Sequence, residues 1–122
     1  MRNPELLLWF GLLAAPLAWT VQLVVGYGAT IARCTGTTSS RSFSLTPWEV
    51  ALTAVAAVVA LTGQAAALLV FRSTRGRHET DPPPDGRVRF LVLAALLSNT
   101  LFLVVILLGG ITAAGLEPCR QA

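Results

Sequence analysis

The chain has 122 residues, 54% of them hydrophobic, and only 12% carry charge, against about 25% in a soluble domain. Mean hydropathy is +0.68, and nine Arg against six acidic residues give a net charge of +3 and a pI near 9.7. All 15 charges lie outside three uncharged stretches that hold 67 of the 122 residues, which excludes a soluble globular domain, a nucleic-acid binder, a large polar active site and a second domain.

The first stretch, Leu6–Tyr27, is 22 residues long, and about 20 residues at 1.5 Å rise cross a bilayer. Asn3-Pro4-Glu5 before it has the order of a helix start: a capping side chain, a Pro at the first helical position and an acid in the first turn. The run exceeds the 7–15 or so apolar residues of a cleaved signal, and no clean small-x-small site follows, so the stretch reads as a permanent anchor. Pro16 removes the backbone bond to Leu12 and predicts a kink, while Tyr27 has the place of an outer interfacial anchor. The helix is expected to continue past the hydrocarbon to about Cys34.

A Thr- and Ser-rich connection, residues 33–45, follows and reads as an exposed loop on the outer side. It closes on Thr46-Pro47-Trp48-Glu49, the pattern of a capping box in which Thr46 and Glu49 each satisfy an orphan amide, with Leu45 and Val50 as hydrophobic staple. The second stretch, Val50–Phe71, is built from small residues. Thr53, Ala57, Ala60, Gln64 and Ala67 recur at helical spacing, with Ala56 and Gly63 alongside, a face that lets a neighbouring backbone come close.

The second loop, residues 72–89, holds Arg72, Arg75, Arg77, Arg87 and Arg89, and its Asp81-Pro82-Pro83-Pro84-Asp85-Gly86 core reads as an extended, non-helical spacer. Its acids Glu79, Asp81 and Asp85 dilute the basic charge, so the Arg cluster reads first as a topology signal. With Arg2, six Arg fall on the side of the N-terminus and second loop against three on the other, which puts that side in the cytoplasm. The third stretch, Phe90–Thr112, carries Ala95, Ser98 and Asn99 in its inner half. Counting from the inner ends places Gln64 and Asn99 at about 10.5 and 13.5 Å depth, and the pair is expected to bond across the second and third helices, with Gln22 level with Thr53 nearer the outer face.

The expected fold is therefore all-α: three transmembrane helices in one integral membrane domain over 1–122, N-terminus inside and C-terminus outside, with Ala57, Ala60, Gly63, Gln64, Ala67, Ser98 and Asn99 in the helix packing. Cys34 and Cys119 fall on the outer face, where a disulfide is the simplest reading; separate thiols and a Cu(I) site are the alternatives. No catalytic residues, cofactor site or metal cluster can be assembled from the sequence, and His78 lies apart on the cytoplasmic side. The expected partners are the lipid bilayer and other membrane subunits, and a non-enzymatic role follows.

Ala15-Pro16-Leu17-Ala18-Trp19, then Gln22-Leu23, Gly26-Tyr27 and a Cys soon after, with a closing Pro118-Cys119, resemble a group of small uncharacterised three- to four-span bacterial membrane proteins. Members are often encoded beside haem-copper terminal oxidases of the cytochrome c oxidase type, and often carry a His where this chain has Gln22. The resemblance implies an accessory subunit or assembly factor of a respiratory oxidase in the bacterial inner membrane. A homo-oligomeric holin-like pore and an outward-facing copper-handling protein are the alternatives.

Overall fold

The computed structural model describes residues 4–35, 45–78 and 80–115, with side chains for 5–32, 47–78 and 80–113. They form three helices in up-down-up order: α1 (Pro4–Thr35), α2 (Leu45–Ser73) and α3 (Asp85–Gly115). Each is long and apolar enough to cross a membrane, over Glu5–Ala32, Pro47–Ser73 and Asp85–Ala113. At 1.5 Å per residue the helices measure about 44–48 Å, more than the roughly 30 Å of hydrocarbon, so their ends reach the polar interface. All three pack against one another in a single bundle.

The uncharged stretches explain why helices form at these places: in lipid the backbone must satisfy its own polar groups within each segment. α1 continues through Pro16 as one helix, and the Thr20 hydroxyl beyond it donates to the Pro16 carbonyl at 2.8 Å. α2 ends in a tight turn, with the Thr74 amide still bonded to the Val70 carbonyl at 3.0 Å and Gly76 at φ +86°, a conformation that costs glycine no Cβ clash.

The connection to α3 is shorter than the sequence suggests. Asp85 and Gly86 do not extend the Pro-rich spacer; they form the first turn of α3, where the Val88 amide bonds the Pro84 carbonyl at 3.0 Å. Proline sits well just before that turn because it has no N–H to leave unpaired, and the Asp85 charge opposes the helix dipole. Asp81 closes the turn before it, accepting from the His78 amide at 2.7 Å.

Each helix turns one stripe of mostly small residues inward. On α1 it is Leu8, Gly11, Ala15, Ala18, Gln22 and Gly26; on α2 Ala56, Ala60, Gly63, Ala67 and Val70; on α3 Val92, Ala95, Asn99, Ile106 and Gly110. The large side chains point outward: Leu6, Leu17, Val24, Val55, Leu97, Leu101 and Ile111 are more than half exposed. Lipid gives no hydrophobic drive for helix association, so close van der Waals approach between small residues and hydrogen bonds between helices hold such a bundle. The approach is closest where glycines stand: a Cβ on Gly63 would lie 2.7 Å from the Ala14 Cβ, and one on Gly11 would lie 3.0 Å from the Ala67 amide nitrogen.

Candidate functional site

The chemistry-bearing side chains in the bundle gather in two polar layers. In the layer farther from the Arg-rich turn, called outer below, Gln22 of α1 donates through Nε2 to the Thr53 hydroxyl of α2 at 3.1 Å and to the Ile106 carbonyl of α3 at 3.3 Å, so one amide ties all three helices. Its level with Thr53 is the one read from the sequence, and the bond to Ile106 is an addition. Thr53 fits because Gly110 faces it: a Cβ there would overlap the threonine side chain. One turn outward on α2 the Glu49 side chain is 8% exposed, its carboxylate seated against Gly26, with Oε2 3.2 Å from where a Cβ would lie.

In the inner layer, Asn99 is 1% exposed and donates through Nδ2 to the Gly11 carbonyl of α1 at 2.6 Å. Gln64 donates instead to the Thr100 hydroxyl on α3 at 3.3 Å, and the Thr100 hydroxyl itself donates to the Leu96 carbonyl at 2.9 Å. The expected Gln64–Asn99 bond is therefore replaced by two separate ties. Matching depths brought both amides to the same level, but Asn99 sits on the face of α3 that looks at α1. Gly11, having no side chain, leaves its carbonyl open to it. Asn99 Oδ1 and Gln64 Oε1 are buried without a hydrogen-bond partner among the described residues.

An apolar core of Ala15, Ala18, Ala56, Ala60 and Ile106 separates the two layers, flanked by Trp19 against Phe102 with ring centroids 5.6 Å apart. Below the inner layer Leu8, Val70 and Val92 form a second core. At that end Arg89 places its guanidinium 4.0 Å from the Phe71 ring centroid and reaches the Phe71 carbonyl and the Thr74 hydroxyl, both at 3.4 Å.

Of the packing residues read from the sequence, Ala60, Gly63, Ala67 and Asn99 are buried, while Ala57, Gln64 and Ser98 are half-buried at the edge of the contact. The deepest line on α2 thus runs through Ala56 rather than Ala57. The matching stripe on α1 is absent from the sequence reading, because Gly11, Ala14, Ala15 and Ala18 are interleaved with Leu12, Leu13, Leu17 and Trp19. α2 begins at Leu45, so Thr46 lies inside the first turn; its side chain falls outside the described ones, as do the Cys34 side chain and all of Cys119. Among the described residues no group of three or more His, Cys, Asp or Glu side chains could hold a metal ion.

Among the described residues, hollows open on the surface at two places of note. One is an apolar groove of about 950 Å³ along α1 and the outer half of α2, walled by Trp9, Leu13, Leu17, Val21, Val55 and Val59. The other, about 600 Å³, lies at the Arg-rich end between the start of α1, the end of α2 and the start of α3. No family model matches the chain, and no curated protein or solved structure matches it either.

Proposed function

We propose that this multi-pass membrane protein is a non-catalytic accessory subunit or assembly factor of a larger membrane complex in the bacterial inner membrane, that complex being a respiratory oxidase of the cytochrome c oxidase type, beside which the small membrane proteins it resembles are often encoded. The observation that carries this reading is the disposition of polar groups. Gln22, Gln64 and Asn99 donate to neighbouring helices, while the bilayer-facing surface is Leu- and Val-rich. A scaffold that presents apolar helix faces to lipid or to other subunits needs no more than this.

In the same reading the N-terminus and the loop between α2 and α3 are cytoplasmic, since Arg72, Arg75, Arg77, Arg87 and Arg89 gather at that end. Cys34 and Cys119 then face the oxidising side and form a disulfide that ties the end of α1 to the tail after α3. The decisive experiment is affinity purification from native membranes in mild detergent, followed by mass spectrometry. Co-recovery of oxidase subunits at stoichiometric yield is expected; recovery of the chain without them overturns the assignment to that complex.

A further inference from the structure

The hollow at the Arg-rich end is amphipathic in depth. Its rim carries Glu5, Ser73, Thr74, Arg77 and Arg87, and its floor, about one helical turn deeper, is Leu8, Trp9 and Leu91. A charged rim over an apolar floor, at the level where three membrane-spanning helices meet the polar interface, matches the profile of one phospholipid molecule rather than that of a soluble anion, which has no use for the floor.

One guanidinium of the rim, that of Arg87, suits a phosphate. Of the nearby acids, Asp81 accepts from the His78 amide and keeps its charge on the turn, outside the lining, and Asp85 contacts Arg77 through a single half-exposed pair at 3.4 Å. Asp85 already offsets Arg77, whereas Arg87 has no ion pair among the described residues, so Arg87 is the guanidinium left to meet a phosphate, with Glu5 the one carboxylate in the lining. Guanidinium pairs with phosphate oxygens in a bidentate fork, and a carboxylate such as Glu5 in the lining accepts from hydroxyl groups. Trp9 also walls the apolar groove between α1 and α2, so an acyl chain leaving the floor meets a continuous greasy surface.

We propose that this hollow is a binding site for an anionic phospholipid of the adjoining leaflet, with Arg87 on the phosphate and Leu8, Trp9 and Leu91 along the first part of an acyl chain. The test is native mass spectrometry of the full chain in detergent, offered equal amounts of phosphatidylglycerol and phosphatidylcholine with identical acyl chains. The wild type is expected to retain phosphatidylglycerol preferentially. Arg87→Gln should cut that preference about five-fold, the effect of one arginine at an anionic surface, while Arg75→Gln, outside the lining, should leave it. An unchanged preference in Arg87→Gln, or an equal fall in Arg75→Gln, overturns the site. Displacement of the lipid by millimolar inorganic phosphate overturns it too, by showing that the floor takes no part. A variant keeping Trp9 alone, with Trp19→Phe and Trp48→Phe, gives a readout with Arg87 intact: its fluorescence should be quenched by phosphatidylglycerol brominated on the acyl chain, and absence of quenching is again fatal.

Discussion

Asn99 and Gly11 stand 88 positions apart in the chain, and the amide of one donates to the backbone carbonyl of the other at 2.6 Å in the buried centre of the bundle. The bond uses the second lone pair of a helical carbonyl and so joins α3 to α1 without breaking the hydrogen bonds of either helix. In a low-dielectric interior the alternative is an amide with nothing to donate to, which is why a single residue there carries weight.

Asn99→Leu should lower the stability of the detergent-solubilised protein by about 1–2 kcal/mol, read as a fall in the thermal midpoint followed by circular dichroism. The figure is moderate because the substitution also removes the unpartnered Oδ1. Gln64→Leu should cost less than Asn99→Leu, since its bond to Thr100 lies at the exposed edge of the bundle. An equal or larger loss for Gln64 would mean that the inner layer is organised around α2 rather than α1.

Adjacent glycines offer a sharper comparison. Gly109 faces open space, whereas a Cβ on Gly110 collides with Thr53. Gly109→Ala should be neutral or stabilise slightly through better helix propensity, and Gly110→Ala should destabilise by about 1–3 kcal/mol. Gly63→Ala, pressed on Ala14, belongs with the second, and Gly28→Ala, with nothing within 4 Å, with the first. Thermal midpoints of the four variants in one detergent test the packing directly.

For the outer layer a double-mutant cycle of Gln22→Leu with Thr53→Val should return a coupling of about 0.6–1.7 kcal/mol. Gln22 keeps its bond to the Ile106 carbonyl when Thr53 is replaced, so Thr53→Val alone should be the milder single change. A coupling indistinguishable from zero would remove the Gln22–Thr53 bond from the description.

Topology has its own measurement. Alkaline phosphatase fused after Ala122 should be active, and a fusion in the turn after Ser73 inactive, if the Arg-rich end is cytoplasmic. On the same protein, a non-reduced mass two hydrogens below the reduced mass is expected for a Cys34–Cys119 disulfide, and full labelling by a thiol reagent without reductant would exclude it.

The three helices are legible in the sequence because 22 or 23 consecutive uncharged residues leave lipid-facing helices as the only economical structure. The small-residue face of α2 is legible for the same reason, since little else interrupts it. Asn99 is legible as a polar contact but not as a contact with Gly11, because depth follows from counting residues whereas the direction a side chain faces depends on how the helices are rotated. A backbone carbonyl also leaves no mark in a sequence. The inner face of α1 is hidden among Leu and Trp, and the start of α3 at Asp85 is masked by three prolines that look like a longer spacer than they are.

The two polar layers sit far apart along the axis: on α1 Gly11 and Gln22 are eleven residues, about 16 Å, from one another, with alanine and isoleucine between. Alanine against alanine slides easily, and a bundle held by such contacts alone could settle one turn higher or lower with little loss. Sliding α1 by one turn, about 5.4 Å, would break the bonds at both levels together, so the chain has its vertical register measured twice. That makes the outer surface, and whatever rests against it, a fixed pattern of ridges instead of an average over several alignments.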